Sequence, residues 1–393
     1  MRVLHVVEAT IAGVRTHVQI LVTGLDRRRF QPVVACPPHR ERSFGDQQFV
    51  SYLAGADIPV VPIAMRRSIS PAADIAALRR LVGLLRRERF DIIHLHSSKA
   101  GFLGRLAARI AGDAPTVYSP HGFAFLGRHG RGQRMLYLTL ERLAGRLGDR
   151  LVAVSPGERA IAIRERIASP ERVVCIENGI PPAMLPAAYD RLAQRAALGQ
   201  PGDAPLIGTV ARLTAQKNPR LFLDAAALLL RDLPGARFVW CGGGDLAEAA
   251  RRYAAELGVA EACRFLGHRD DTPQIIAALD MFWLTSDYEG LPLAPLEAMS
   301  LGVPVVATDV VGTRDLLRGV AGLLVPPGDA GALASAARGL ARSDERRARL
   351  GQAGRTSYLE HGTANRMIDA VERLYEDLAA THDRRVPVAS AVA

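Results

Sequence analysis

Short apolar runs with strand character alternate with helical segments along the whole 393-residue chain. The first run, Arg2–Val7, precedes a helical pattern that begins near Val14, and Leu206–Ala211 is followed by another that ends near Leu230. Alternating strands and helices favour parallel β-sheets whose faces are covered by helices. The sequence therefore predicts a protein of the α/β class.

The length of the chain favours two domains, because a single hydrophobic core rarely grows beyond about 250–300 residues. A stretch without strong strand character lies near the middle of the chain and predicts the junction. We predict an N-terminal domain over 1–183, a linker over 184–203 and a C-terminal domain over 204–362. A C-terminal helix over 363–380 is expected to pack back towards the N-terminal domain, and 381–393 to form a flexible tail.

The stretch Phe282–Met299 runs from an apolar strand through a turn into a helix. Pro292 and Pro295 suit only the first turn of a helix, where a missing N–H costs nothing, so the helix should begin around them. Its unpaired amides and the positive end of its dipole would form a phosphate site. Glu289 and Glu297 flank that site and suit sugar hydroxyls better than phosphate. The phosphate site and the two carboxylates together favour a nucleotide-sugar as ligand. Alternatively, Glu297 only complements the helix dipole.

Positive charge is concentrated in the first half of the chain. Residues 1–183 contain 27 lysines and arginines against 15 acidic residues, whereas the whole chain has a net charge of +10. A basic half predicts an anionic partner, which can be a lipid surface, a diphosphate-bearing acceptor or nucleic acid. Nucleic acid is the least favoured, because only 5% of residues are aromatic and no nucleic-acid-binding motif occurs.

Lysine is used at only two positions, Lys99 and Lys217, and every other basic residue is arginine. A compact ammonium group and a guanidinium fork are not interchangeable, so we expect both lysines to be functional. Lys217 and Arg212 share the loop after a strand, where both can point at one diphosphate. After the next strand, the glycine-rich loop Gly242–Asp245 lets the backbone pass close to a ligand.

Two loops of the N-terminal half also follow strands and precede helices. The first contains the single glycine Gly13, which permits close approach of a ligand but does not make the G-x-G-x-x-G dinucleotide fingerprint, so an NAD-dependent oxidoreductase is disfavoured. The second contains His96, Ser97, Ser98 and Lys99, which could hold the phosphate of an acceptor. Alternatively, one of the two serines acts only as a helix N-cap.

Two further features of this half have two interpretations each. His121 follows the strand Thr116–Ser119 and precedes a glycine, so it can present its ring or its carbonyl group to a substrate, although a lone histidine is more often structural. The helical segment Gln133–Leu147 mixes leucines with arginines. Such an amphipathic basic helix could rest on an anionic membrane surface or could be an ordinary core-facing helix.

The sequence also predicts where the protein resides. No stretch reaches 18 consecutive apolar residues, and Met1 leads directly into the first strand, so neither a membrane span nor a signal peptide is expected. The four cysteines are far apart and lack metal-ligand spacing. They are typical of small core residues in a reducing cytoplasm.

Taken together, these segments resemble the retaining glycosyltransferases of family 4. That resemblance implies the GT-B fold, in which two Rossmann-like domains have parallel sheets that face each other across a cleft. The family's E-x₇-E signature corresponds to Glu289 and Glu297, its R-x₄-K pair to Arg212 and Lys217, and its histidine to His121. The likeness covers nearly the whole chain and is strongest in the second half.

Two motifs depart from the family pattern. The glycine loop, usually G-D-G, is Gly242–Asp245 here, and the N-terminal Gly-Gly pair is Ala12-Gly13. The runs His96–Gly101 and Ser119–Phe125 are similar to the sequences of the subgroup that builds capsular polysaccharide, exopolysaccharide or lipid-linked oligosaccharide.

The resemblance implies a role for each site residue. Glu289 would bind hydroxyls of the transferred sugar, and Glu297 the ribose diol. Arg212 and Lys217 would stabilise negative charge on the departing nucleoside diphosphate, and His121 would act near the reaction centre. The donor would also contact Gly13, Gly243, Gly244, Gly290, Leu291 and Leu293, and the acceptor His96, Ser97, Ser98 and Lys99.

The resemblance implies a metal-independent transfer without a cofactor, from a UDP-hexose or UDP-N-acetylhexosamine to a polyprenyl-diphosphate-linked saccharide. The protein would be cytoplasmic and peripheral on the inner face of the membrane. A GT-B nucleotide-sugar 2-epimerase and a catalytically silent scaffold of a polysaccharide complex are the alternatives. The donor sugar, the linkage and the oligomeric state stay open.

Overall fold

A computed structural model describes residues 1–38, 45–66, 68–112, 114–127, 129–200 and 202–383. The chain divides into two compact units. Unit 1 contains Met1–Glu177 together with the C-terminal segment from Ala364, and unit 2 contains Asn178–Thr363. Each unit is built on one parallel sheet with helices around it, so the predicted α/β class with two Rossmann-like domains is confirmed.

Unit 1 has a seven-stranded parallel sheet in the order β3-β2-β1-β4-β5-β6-β7. The strands are β1 (Arg2–Val7), β2 (Gln31–Cys36), β3 (Val60–Pro62), β4 (Ile92–His96), β5 (Thr116–Ser119), β6 (Arg150–Ala153) and β7 (Val173–Cys175). The helices are α1 (Ala12–Gly24), α2 (Gly45–Gly55), α3 (Pro71–Arg87), α4 (Ser98–Ala111), α5 (Arg131–Gly145), α6 (Pro156–Arg164) and α15 (Ala364–Asp383), with 3₁₀ turns at Ala124–Leu126 and Pro170–Arg172.

Unit 2 has a six-stranded parallel sheet in the order β10-β9-β8-β11-β12-β13. The strands are β8 (Leu206–Val210), β9 (Arg237–Cys241), β10 (Cys263–Gly267), β11 (Met281–Leu284), β12 (Val305–Thr308) and β13 (Leu323–Val325). The helices are α7 (Arg191–Ala197), α8 (Pro219–Leu230), α9 (Ala247–Glu256), α10 (Thr272–Ala278), α11 (Leu293–Ser300), α12 (Val311–Leu317), α13 (Ala330–Ala341) and α14 (Asp344–His361), with 3₁₀ turns at Ala215–Lys217 and Ala260–Ala262.

The strand orders give each sheet one switch point, where successive connections leave in opposite directions. In unit 1 it lies between β1 and β4, whose register pairs Val7 with His96. In unit 2 it lies between β8 and β11, whose register pairs Ile207 with Met281. Ligands of open α/β sheets bind outside the carboxyl ends of the strands at such a point. Both units therefore have a candidate site at a known place in the sheet.

The sequence forms these elements because their apolar residues recur at the matching period. Strand β4 is buried at every residue, as expected of a parallel strand covered on both faces. Helix α3 begins with Pro71 at its first position and buries Ala77, Leu81 and Leu84, which lie on one face. Among the described residues, no helix is both long and apolar enough to cross a bilayer.

Helix α15 is part of unit 1 although it follows unit 2 in the sequence. Its buried face presents Ile368, Val371 and Tyr375 to a core that also contains Leu21 and Phe30. Its polar edge is fixed as well. Glu372 accepts hydrogen bonds from the backbone amide of Asp26 (2.7 Å) and the guanidinium of Arg29 (2.9 Å).

The unit boundary differs from the predicted one. Unit 1 ends at Glu177, and much of the predicted linker 184–203 is structured, because α7 packs in unit 2. Buried Arg195 explains this packing, since its guanidinium donates to Asp280 at 2.8 Å and to the carbonyl of Ala204 at 2.7 Å. At the other end, α15 includes Thr381–Asp383, and the rest of the predicted tail lies outside the described residues.

Candidate active site

The switch point of unit 2 carries the four charged residues that the sequence singles out. Arg212 and Lys217 follow the carboxyl end of β8, and Glu289 follows that of β11. Glu297 lies in α11, the helix that β11 leads into. The strand order places β8 and β11 side by side, so the two segments leave the sheet together.

Lys217 and Glu289 form an ion pair at this edge, since the ammonium Nζ donates to Oε1 of Glu289. The side chains are 16% and 7% exposed. Ser286 donates its hydroxyl to the same carboxylate oxygen at 2.5 Å. A largely buried cation and a buried carboxylate thus face each other at the carboxyl end of the sheet, where a diphosphate and a hydroxyl group could compete for them.

Three hydrogen bonds from side chains, and one from the backbone amide of Asp287 to the carbonyl of Gln216 at 2.9 Å, hold the two loops together around this pair. The hydroxyl of Thr285 donates to the carbonyl of Lys217 at 2.7 Å, and the side-chain amide of Gln216 donates to the carbonyl of Tyr288 at 3.0 Å. Asn218 donates to Asp287 at 3.0 Å and caps α8 by accepting from the amide of Leu221. Such bonds fix side chains before a ligand binds, which reduces the reorganisation needed in a transition state.

Helix α11 begins at Leu293, with Pro292 at the N-cap and Pro295 in the first turn, as the two prolines predicted. Within the part of the chain that the structure describes, the amides of Gly290, Leu291 and Leu293 have no hydrogen-bond acceptor. Unbonded amides at a helix N-terminus suit an anion such as a phosphate. The side-chain amide of buried Asn178 donates to the carbonyl of Leu291 at 2.9 Å and supports this turn.

Glu297 lies half-buried in α11 and accepts a hydrogen bond of 3.5 Å from the hydroxyl of Thr272. Burial raises the pKa of Glu297 to about 7, because desolvation disfavours the charged form. Glu297 lies beyond the first turn of α11, where interaction with the helix dipole is weak. A carboxyl group titrating near neutrality is typical of functional sites.

In the glycine loop after β9, close backbone packing excludes any side chain at two of the glycines. A Cβ on Gly242 would lie 2.2 Å from the carbonyl oxygen of Ala211, and one on Gly244 would lie 2.2 Å from that of Leu213. Gly243, in contrast, has no atom within 4 Å of such a Cβ. Gly242 and Gly244 are therefore required by close backbone packing, whereas Gly243 leaves space at the loop tip.

The loops at the switch point of unit 1 contain site residues that the sequence predicts in the first half of the protein. Gly13 is the second residue of α1, and a Cβ there would meet nothing within 4 Å. Ala12, which occupies the place of the family's first glycine, has a φ of 54°, a conformation that glycine adopts at lower cost. Ser97 is the N-cap of α4 but makes no capping bond, and its hydroxyl lies 3.5 Å from Oε2 of Glu8. Ser98 is the first residue of α4.

Lys99 is held by the carboxylate of Asp74, whose two oxygens both lie 2.7 Å from its ammonium group. The lysine side chain is 11% exposed. An acceptor phosphate at this place would have to share the ammonium with Asp74.

His121 lies in a strained turn after β5. It has a φ of 55°, which costs a non-glycine residue about 1 kcal/mol or more. The next amide, that of Gly122, donates to the buried carboxylate of Glu158 at 2.7 Å. Glu158 also accepts from the amide of Val154 at 2.7 Å, so it clamps the turn to the end of β6.

His96 lies in the interior of unit 1. It is fully buried, and its Nε2 and Nδ1 lie 3.1 Å from Nδ1 of His5 and from Nε2 of His121, respectively. Both ring nitrogens are hydrogen-bonded to other histidines, and direct contact of His96 with an acceptor stays a prediction. Its role is to contact His121, a residue of the predicted site.

Several residues of these sites had no signal in the sequence that could single them out. Asp74 and Glu158 are ordinary helix carboxylates in sequence, and their partners lie far away or across a turn. His5 lies in an apolar strand that predicts core residues, and His17 lies among polar residues of a predicted helix. Only Ser286 had a usable signal, since it lies three residues before Glu289 at the end of β11.

In a comparison with known protein families, one glycosyltransferase model matches each unit. The sequence model described as Glycosyltransferase Family 4 matches residues 11–183, and that described as Glycosyl transferases group 1 matches residues 190–357.

Two curated relatives and one solved structure are similar to the chain. A UDP-Gal:alpha-D-GlcNAc-diphosphoundecaprenol alpha-1,3-galactosyltransferase of Escherichia coli is 35% identical over 64% of this chain and 66% of that protein. A D-inositol 3-phosphate glycosyltransferase of Geodermatophilus obscurus is 31% identical over 76% of this chain and 70% of that protein. The structure of Anabaena Alr3699/HepE in complex with UDP-glucose has a TM-score of 0.81 and 22% identity, over 96% of this chain and 100% of that one. At that identity the likeness concerns the GT-B fold.

Proposed function

This chain belongs to glycosyltransferase family 4, and from that membership we propose that it transfers a sugar, with retention of configuration, from a UDP-sugar to a saccharide carried on a polyprenyl diphosphate. The donor is a UDP-hexose or UDP-N-acetylhexosamine. The Escherichia coli relative is named for a UDP-sugar donor and a diphosphoundecaprenol acceptor, which supports both halves of the proposal.

The observation that carries the proposal is the Lys217–Glu289 pair beside the unbonded amides at the start of α11. The amides and Lys217 supply positive potential for a diphosphate, and Glu289 accepts from sugar hydroxyls. When the glycosidic bond to the diphosphate breaks, negative charge grows on the leaving phosphate. Fixed donors aimed at that charge stabilise the transition state more than the ground state.

Arg212 supports the same role from the loop that carries Lys217. Two cations and the helix amides provide the charge that a divalent cation supplies in other transferases, so the reaction proceeds without a metal. In the front-face route the leaving phosphate accepts the proton of the acceptor hydroxyl, and no second carboxylate is needed. Chelation of divalent ions should leave the rate unchanged, and loss of activity that Mg²⁺ or Mn²⁺ restores would contradict this part.

The test is a donor screen on the full-length protein. UDP-glucose, UDP-galactose, their N-acetylamino forms and GDP-mannose are each incubated with and without a polyprenyl-diphosphate-linked N-acetylglucosamine, and release of nucleoside diphosphate is followed. Release that requires the acceptor supports transfer. Release of free sugar and nucleotide without acceptor would indicate an epimerase, and no release with any donor would indicate a silent scaffold.

Variants then test the site itself. Lys217→Met and Glu289→Gln should each lower kcat by about 10²–10³-fold, as loss of one preorganised transition-state contact does. Arg231→Ala is the control, because Arg231 is an exposed residue after α8 and lies outside the site. Near-normal rates in both site variants would refute the assignment of these residues.

The proposed acceptor lies at a membrane, and α5 offers the surface for it. The helix exposes Met135 (59%), Leu136 (48%) and Leu143 (50%), together with Arg131 and Arg134. Apolar side chains flanked by arginines suit an anionic lipid interface. The protein therefore attaches peripherally to the inner face of the cytoplasmic membrane.

Flotation with vesicles containing phosphatidylglycerol measures this attachment. Leu136→Glu combined with Leu143→Glu should reduce binding at least about fivefold, since each change removes buried apolar area and adds repulsion. Leu192→Glu serves as control, because Leu192 is 64% exposed in unit 2. Equal binding of both variants, or no binding of the unaltered protein at low salt, would contradict attachment through α5.

A further inference from the structure

Unit 1 contains a line of three hydrogen-bonded imidazole rings, those of His5, His96 and His121, which we call the histidine chain. Nδ1 of His5 lies 3.1 Å from Nε2 of His96, and Nδ1 of His96 lies 3.1 Å from Nε2 of His121. His5 and His96 are fully buried, and His121 is half-buried after β5. The histidine chain thus runs from the interior of the sheet to the predicted site at its carboxyl edge.

The topology brings these rings together. Strands β1, β4 and β5 are neighbours in the sheet, and the β1–β4 register pairs His5 with His94. His94 and His96 are two residues apart in β4, so their side chains leave the same face. His94 has separate partners, since its ring nitrogens lie 2.8 Å from the hydroxyl of Ser119 and 2.5 Å from that of Tyr375.

The geometry favours hydrogen bonds over metal chelation. Two groups of three histidines, His5 with His94 and His96, and His17 with His96 and His121, each place one nitrogen per ring within 4.8 Å of one another, close enough to consider a metal ion. The rings along the chain, however, are nearly parallel, at 14° and 16°, with centroids 5.4 Å apart at each link. With nitrogens 3.1 Å apart, each facing pair lies near the line between ring centres, so an N–H on one nitrogen points at the lone pair of the other. Chelating lone pairs would instead converge on a point beside that line.

The surroundings of His5, at the buried end of the histidine chain, determine which ring nitrogens carry the protons. Each neutral imidazole carries one N–H, so all three rings must donate in the same direction. If they donated from Nε2, the Nε2–H of His5 would be left without an acceptor, because this atom is buried and has no hydrogen-bond partner within the described residues. Orphaned buried N–H groups are rare, whereas unsatisfied acceptors are better tolerated. Donation from Nδ1 leaves only a lone pair there.

We propose that His5 and His96 are positioning residues that hold His121 as the Nδ1–H tautomer, so that His121 acts as a hydrogen-bond donor to a phosphate or hydroxyl oxygen of the substrate. His5 donates to His96, and His96 donates to Nε2 of His121, which leaves Nδ1–H as the free donor of the half-buried ring. The ring of His17 packs edge-on against that of His121, with 4.4 Å between the ring centroids, and limits the rotation of His121. The Glu158 clamp holds the strained turn beneath it.

The tautomer can be measured without any assay of activity. Protein labelled with ¹⁵N-histidine is examined by long-range ¹H–¹⁵N correlation at pH 7.5, and signals are assigned with single-histidine variants. We expect protonated Nδ1 and unprotonated Nε2 in His5, His96 and His121, the reverse of the tautomer that free histidine prefers. A protonated Nε2 in His121 would overturn the proposal. So would stoichiometric binding of Co²⁺ with the absorption of tetrahedral coordination, since the nitrogens would then be metal ligands.

The effect on catalysis rests on the proposed transfer reaction and is tested separately. His5→Leu removes the first donor of the chain, whereas His5→Asn retains an N–H donor at the position of Nδ1. We expect His5→Leu to lower kcat about 3- to 10-fold with little change in KM for the nucleotide-sugar, as loss of one oriented hydrogen bond does, and His5→Asn to retain most of the rate. Circular dichroism verifies that both variants are folded.

The two measurements separate the possible failures. If the unaltered protein transfers no sugar, the proposed function fails while the tautomer result stands. If transfer is observed but His5→Leu and His5→Asn have equal rates in folded protein, the positioning role is refuted although the proposed function holds.

Discussion

Lys217 and Glu289 neutralise each other, and this shapes how the site must be tested. Both side chains are largely buried, so removal of one partner leaves an uncompensated charge in a poorly solvated place. Substitution by alanine could therefore lower stability as well as rate. Glu289→Gln and Lys217→Met keep most of the volume and are the better probes, provided that unfolding is measured beside kcat.

Glu297 should make the stability of unit 2 depend on pH. Its pKa is raised to about 7 by burial, so the folded state binds the proton more tightly than the unfolded state does. The contribution of this group is therefore most favourable below the unfolded pKa and is lost as pH rises towards 7. In Glu297→Gln the loss is absent, so between pH 5 and 7.5 the variant should gain on the order of 2–3 kcal/mol relative to the parent.

Denaturant unfolding followed by tryptophan fluorescence measures this change, because both tryptophans, Trp240 and Trp283, are buried in unit 2. Glu248→Gln is the matched control, since its side chain is 76% exposed in the same unit. Parallel pH profiles for Glu297→Gln and the parent would show that Glu297 titrates normally.

Among the elements, α15 is the one whose removal unit 1 should tolerate least. The hydroxyl of Tyr375 is buried and lies 2.5 Å from Nδ1 of His94. Tyr375→Phe leaves that nitrogen without a partner, which should cost about 1–3 kcal/mol of unfolding free energy. Urea unfolding followed by far-UV circular dichroism gives the value, with Arg373→Ala as an exposed control on the same helix. Unchanged stability of the Phe variant would show that the hydrogen bond contributes nothing net.

Elements defined by local chemistry could be predicted from the sequence, and those defined by long-range contacts could not. Pro292 and Pro295 fixed the start of α11, because proline is excluded from later helix positions. The glycine loop and the loop of Arg212 and Lys217 were placed correctly after their strands. The packing of α7 in unit 2 was not predicted, because it depends on Arg195 and Asp280, residues far apart in sequence. The histidine chain depends on strand order and register, which no local pattern reveals.

On the scale of the whole molecule, the two units should respond differently to acid. Burial, with repulsion between neighbouring histidines, lowers the pKa of His5 to about 3 and those of His94, His96 and His121 well below the usual value. The unfolded chain binds these protons near pH 6.5, so unit 1 loses stability as pH falls below that value, by ~3 kcal/mol or more. Protonation of Glu297 acts in the opposite direction in unit 2.

Acid titration in mild urea should therefore show two transitions. Far-UV circular dichroism should lose part of its signal first, as unit 1 unfolds, while tryptophan fluorescence from unit 2 stays constant until lower pH. Coincident transitions by both probes would mean that the units unfold as one, or that the buried histidines contribute little.

The return of α15 to unit 1 has a consequence for synthesis of the protein. A nascent chain presents β1 to β7 to solvent long before the ribosome has translated Ala364–Asp383. The apolar surface around Leu21 and Phe30 must wait uncovered while unit 2, encoded later but contiguous, can finish folding first. Premature termination anywhere in unit 2 would thus damage the earlier half as well, and chaperones have a defined target during that interval.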